Sequence, residues 1–191
     1  KFLIPAIATP VLFWIITFIG GSINNNYHHL KNTISELGQI GAAAEKFMIV
    51  ALPLLAIIAT MFSVYFFQYS RLLKISVWPA ILSFGLPISI LWAGIFPMGN
   101  SLHDKQGPLP LLLLVGMLIA IFLWPKQNYK MEKLASITAT LITLLIFLRF
   151  VKPFGNEYEG IVQRFYYLGW SVWYITIGVF LSKKVKPESF V

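Results

Sequence analysis

All three histidines of this chain and five of its seven acids lie in the short segments that follow its first, third and fifth apolar runs. The first segment holds Asn24-Asn25-Asn26-Tyr27-His28-His29 and then Asn32-Thr33-Ile34-Ser35-Glu36-Leu37-Gly38. The second holds Asn100-Ser101-Leu102-His103-Asp104, and the third holds Glu157 and Glu159 and leads to Gln163 and Arg164. A histidine beside an aspartate is either a metal-ligand pair or a base with its orienting group. Nitrogen and oxygen ligands suit zinc. His103, Asp104 and His29 (or its neighbour His28), with Glu36, are the set that would hold it. The helical spacings of metalloenzymes, His-Glu-x-x-His or His-x-x-x-His, are missing. No cofactor is therefore expected, and zinc is kept only as the alternative. A Ser-His-Asp triad from Ser35 or Ser101 is not expected, because a histidine and aspartate adjacent in sequence rarely aim at one another.

Arg164 carries a sharper signal. It sits about one turn inside an apolar stretch, where an arginine costs a few kcal/mol unless it snorkels or pairs. Pairing with Glu36, with Asp104 or with a bound phosphate is the functional reading. Arg164, His103, Asn32, Ser35, Glu36 and Gln163 are thus the expected binding set for an anionic, lipid-like headgroup. Thr33 and Glu36 also have capping-box spacing, which predicts a hydroxyl bonded to the amide three residues on and the acid bonded back. A short interfacial turn before the second apolar run follows from that and from Gly38 and Gly41.

The elements that must position these groups are membrane helices. Hydrophobic residues make up 58% of 191, charged residues 12%, a balance far from that of a soluble domain. Six runs approach the 20 or so residues that span a bilayer: Phe2–Gly21, Phe47–Phe67, Ile75–Phe96, Leu109–Trp124, Leu134–Val151 and Ile161–Leu181. The predicted fold is all-α, one domain of six transmembrane helices over residues 1–191, with three outer segments gathered on one small surface. The first run is too long for the apolar core of a cleaved signal and is read as a retained helix. The chain opens on Lys rather than Met, which predicts further residues upstream.

Lys and Arg in short loops favour the cytoplasm. Lys1, Arg71, Lys74, Lys126, Lys130, Lys133, Lys183, Lys184 and Lys186 lie on one side, and Lys31, Lys46, Lys105, Arg149, Lys152 and Arg164 on the other. The expected location is the cell (inner) membrane with both termini cytoplasmic. The net charge of +8 then reflects basic loops facing anionic lipid, with membrane lipids as partners and no call for nucleic acid. With no cysteine, thiolate chemistry is excluded. No ionisable group lies mid-run, which argues against ion-coupled transport. Two alternatives to lipid binding stay open: an accessory subunit or assembly factor of a larger membrane complex, and a metal-dependent membrane hydrolase.

Three elements carry a resemblance. Asn32-Thr33-Ile34-Ser35-Glu36-Leu37-Gly38, Gly94-Ile95-Phe96-Pro97 followed by His103, and Gly160-Ile161-Val162-Gln163-Arg164 resemble, in this order, the prokaryotic membrane family catalogued as domain of unknown function 998. Members often carry an acid after the Phe-Pro turn, where this chain has Met98-Gly99. The layout is more distantly similar to eukaryotic six-helix proteins related to the autophagy modulator DRAM and to GPI-lipid remodelling factors. The resemblance implies a six-helix bundle and a link to lipid, and it implies no reaction.

Overall fold

A computed structural model describes residues 2–185 of the chain, and Lys1 and Lys186, counted above for orientation, lie outside the described residues. Six helical spans are long and apolar enough to cross a membrane. The first is helix α1 (Leu3–Ile23), and the second, α2 (Glu45–Leu72), follows the 3-10 turn Ser35–Gly38. The third is split into α3 (Trp78–Ser83) and α4 (Gly85–Ile95). Pro87 is one physical cause of the split, since it has no amide to give the carbonyl of Ser83. The fourth joins the 3-10 turn His103–Gln106 to α5 (Leu109–Leu123). The fifth is α6 (Lys130–Leu144), tightening to a 3-10 stretch over Leu145–Phe150. A short helix α7 (Phe154–Glu157) then precedes α8 (Glu159–Lys184), the sixth span. The expected spans are all present, with ends shifted by a few residues where capping and tertiary contacts override hydropathy. We call the end that carries residues 24–44 and 96–107 the outer end, and the opposite one the inner end.

Helix α8 is the hub. Its 18-residue span window is half buried, more than any other span, and it packs on α1 and α6. Between helices in lipid the driving force is close packing rather than exclusion of water, so small residues mark the contacts. A Cβ on Gly169 would fall 2.8 Å from the carbonyl of Ala139 and closer still to the Thr143 hydroxyl. That position admits glycine alone. An aromatic column fills the axis: Phe13 meets Trp170 at 5.2 Å between centroids, and Phe62 stacks on Tyr174 at 3.7 Å. The apolar side chains left exposed, among them Ile4, Val50, Ile57, Phe122 and Leu141, ring the bundle where acyl chains would lie.

The second outer segment departs from expectation. Residues 97–107 are only part-buried, with His103 alone among them buried. They fold back down the flank of α4, where Trp92 donates through its indole N–H to the carbonyl of Leu102 (2.8 Å) and Ser89 bonds Gln106 (2.7 Å). Ser89 lies about 9 Å along α4 from Ile95, at 1.5 Å per residue. Non-helical backbone at such depth is stable only when buried in protein or lining a cavity. His103 meets both conditions, being buried and lining a cavity.

Candidate functional site

The outer end is built from the first segment upward. The Glu36 carboxylate accepts from Asn32 Nδ2 (2.6 Å), the Thr33 amide (2.7 Å) and the Thr33 hydroxyl (2.9 Å). Only half of the expected capping box forms. The Glu36 amide bonds the carbonyl of Thr33 (3.3 Å), so the hydroxyl turns instead to the carboxylate. The result is a rigid turn that presents Ser35 between two anchored neighbours. Beyond it, the amide of Ile40 donates to the carbonyl of Met98 (2.9 Å), which ties the first outer segment to the second.

Helix α8 holds this segment by its first turns. The amides of Gly160 and Ile161 donate to the carbonyls of Lys31 and Leu30, both at 3.0 Å, and satisfy groups that a helix start leaves open. A Cβ on Gly160 would sit 2.4 Å from the carbonyl oxygen of Asn32, so only glycine lets the loop backbone come this close. Gln163 accepts from the amide of Ile34 through Oε1 (2.6 Å). Arg164 donates to the carbonyls of Asn32 (3.0 Å) and Gly160 (2.9 Å), to the Tyr27 hydroxyl (2.7 Å) and to His29 Nδ1 (3.0 Å).

Arg164 therefore forms no ion pair with Glu36 or Asp104. Its four partners are neutral, and it acts as a clamp on residues 27–32. The arrangement acts back on its members. Burial, and then the charge of Arg164, push His29 below its ordinary value, and burial pushes Tyr27 up. A neutral His29 with its lone pair on Nδ1 is the form the clamp requires.

Beside this clamp lies a cavity of about 410 Å³. Its outer part is walled by Ser35, His103, Asp104, Arg149 and Gln163, and its depth by Phe13, Leu52, Leu86, Ile90 and Tyr166. A second chamber of about 260 Å³ shares the polar wall and adds Thr33 and Glu159. Arg164, expected in the binding set, lines neither chamber: the loop carbonyls have taken its donors. The cation on the wall is Arg149, which from the sequence counts only toward orientation. It pairs with Glu159 at 3.0 Å, both groups about half exposed.

His103 is 8% exposed, and its Nδ1 lies 2.7 Å from the carbonyl oxygen of Phe96. A carbonyl only accepts, so Nδ1 carries the proton and the lone pair of the neutral ring is on Nε2. Of the predicted binding set, Ser35, His103 and Gln163 line the cavity, while Asn32 and Glu36 support it from behind. Of the proposed metal set, His103 and Asp104 share the cavity but His29 is on the Arg164 clamp. Among the described residues no three His, Cys, Asp or Glu side chains converge as metal ligands. Ser89 on α4 lines the cavity as well.

Sequence reasoning missed a buried pair at the inner end. Glu132, in the first turn of α6, is 2% exposed and lies 3.2 Å from Lys184 at the end of α8. Lys184 also stands 4.7 Å over the ring of Tyr129 and donates to the carbonyl of Asn128 (2.6 Å). The only signal was an acid among lysines on the basic side.

The motifs that build the outer end are those that suggested the resemblance, and a family model bears it out. The model for a protein of unknown function, DUF998, matches residues 7–180. The chain belongs to this family. The match spans the membrane domain from α1 to the last turns of α8, so what holds the outer end together belongs to the DUF998 chain itself. No curated protein and no solved structure matches the chain at a significant level, and the similarity to DRAM-related proteins finds no support there.

Proposed function

We propose that this protein binds an amphipathic membrane lipid with an anionic headgroup in the outer cavity. One observation carries the reading: a space of about 410 Å³, within the usual range of ligand pockets, is polar at its outer wall and apolar in its depth. Arg149 supplies the positive charge, and a phosphate or carboxylate competes with Glu159 for it. The amide nitrogen of Gln163 and the ring of His103 supply neutral contacts, and the apolar depth takes a chain segment. We further propose that the protein lies in the cell membrane with both chain termini cytoplasmic, a reading supported by the excess of Lys and Arg on that side.

The test is native mass spectrometry of the full chain extracted gently from its own membrane. The expected spectrum has an adduct of lipid mass that Arg149→Ala depletes. Because the Arg149–Glu159 pair is exposed, that variant changes stability by about 0.5 kcal/mol or less. A bare chain, or one found only within a heavier assembly, sinks the proposal and favours a role as a subunit.

A further inference from the structure

We infer that the outer cavity cleaves a carboxylic ester of a membrane lipid, with Ser35 as nucleophile and His103 as its base. The inference rests on the lipid-binding reading for its substrate and adds a reaction to it. Three side chains on one wall carry it, because each keeps a reactive atom unspent.

The Ser35 hydroxyl makes no hydrogen bond to any described residue, yet it lines both chambers. Thr9, Thr17, Thr60 and Thr143 on the spans each bond the carbonyl four residues back, whereas Ser70, Thr140 and Ser182 share the unpartnered state of Ser35 but are sealed in the bundle rather than lining a cavity. Ser35 is also held still, between Ile34, which is bonded to Gln163, and Glu36 with its three donors. A fixed hydroxyl facing open space is what a nucleophile needs.

His103 supplies the base. Its Nδ1–H is committed to the Phe96 carbonyl, and no described residue bonds Nε2. The ring lines the same two chambers as Ser35. A backbone carbonyl here does the orienting work for which Asp104 was considered, and it removes the difficulty of a His-Asp pair adjacent in sequence. Gln163 supplies the third part. An amide N–H only donates, so Oε1 must face Ile34, and the Nε2 donors turn the other way with no described partner. Gln163 lines both chambers too, so those donors can stabilise a developing oxyanion.

The step balances with water as the second reactant. Ser35 Oγ bonds the ester carbonyl carbon while its proton passes to His103 Nε2, and the carbonyl oxygen becomes an oxyanion facing Gln163. Collapse breaks the bond to the alkoxy oxygen, which takes the proton from His103 and leaves as an alcohol. Water then attacks the acyl-serine with His103 again as base, and a fatty acid leaves with Ser35 restored.

The probe is an alkyl fluorophosphonate, incubated with the full chain in mild detergent and read by intact mass and peptide mapping. The expected result is one adduct, on Ser35, lost in Ser35→Ala and formed at least about a hundredfold more slowly in His103→Gln. Ser35→Ala breaks no hydrogen bond, so its melting point stays at the wild-type value and its silence cannot be blamed on unfolding. Wild type that carries the lipid adduct but never labels keeps the binding reading and overturns the reaction. Labelling that persists in Ser35→Ala overturns it as well. Wild type with neither adduct nor label removes both readings together.

Discussion

The two ends of the bundle use charge in opposite ways. At the inner end a buried carboxylate, Glu132, is matched by one cation, Lys184, which caps a floor of buried aromatic rings from Trp124, Tyr129 and Phe2. At the outer end the most engaged cation, Arg164, has no acid at all and spends its donors on carbonyls, a phenol and an imidazole. An ion pair closes the inner end. A cation with neutral partners holds a loop in place, and the wall beside it keeps a hydroxyl, an imidazole nitrogen and an amide facing a cavity. One end is closed by a buried ion pair, and the other keeps a cavity beside its clamp.

Breaking the outer clamp should have the largest effect. Arg164→Ala removes four hydrogen bonds from a charged donor and strands part-buried acceptors. At 1.5–3 kcal/mol for a bond of this kind, and with partial relaxation, the cost is about 4 kcal/mol. Hydrogen exchange should then show residues 27–34 unprotected while the α2 core stays slow. If exchange there is unchanged, the clamp is not what holds the loop.

Breaking the inner pair comes next. Lys184→Met leaves Glu132 buried without its cation and should cost about 3 kcal/mol, the low end for a buried pair because Lys184 is one-third exposed. Unfolding in detergent measures the loss. The double variant Lys184→Met with Glu132→Leu should recover most of it, since an apolar pair of similar volume replaces a buried ion pair at little cost. No recovery would mean that Lys184 acts mainly through Asn128 and Tyr129.

Acid should have the smallest effect and should act on one end only. His29 accepts from Arg164 in its neutral form, and its folded value is held below the ordinary 6.5 by burial and by that guanidinium. The unfolded chain therefore takes the proton first. The clamp's contribution is whole above 6.5 and is lost as pH falls through the folded value. Loop protection factors, corrected for the intrinsic exchange rate at each pH, should fall from pH 7 to pH 5 in wild type and lose that dependence in His29→Gln, with the inner end unaffected. An equal pH dependence in both proteins would assign the effect to another group.

Much of this was legible in advance. A helix in lipid must satisfy its own backbone and face apolar chains, so hydropathy alone located six spans and put the polar segments on one side. The capping spacing of Thr33 and Glu36 placed a turn at Ser35–Gly38, although the hydroxyl's partner was misjudged. Arg164 stood out as costly, and its cost is real; its partners were not readable, because carbonyls are the same at every position and leave no mark in the sequence. The places of Arg149 on the cavity wall and of Glu132 in a buried pair were not readable for a related reason. A charge near a helix end looks alike whether it meets water, a cavity or a buried partner.

The amino-acid sequence by itself determined the class, the spans and the family, because each follows from local composition or from motifs that survive as strings. The three-dimensional structure alone decided which polar groups are consumed and which are left facing space. Gly160 brings the loop carbonyls onto α8 and so turns Arg164 away from the cavity, and the descent of residues 97–107 carries His103 into it. The first outcome rests on hydrogen bonds between residues up to 137 apart, where distance along the chain says nothing about distance in space, and the second on side-chain bonds 7 to 17 residues apart that no helical or turn spacing announces.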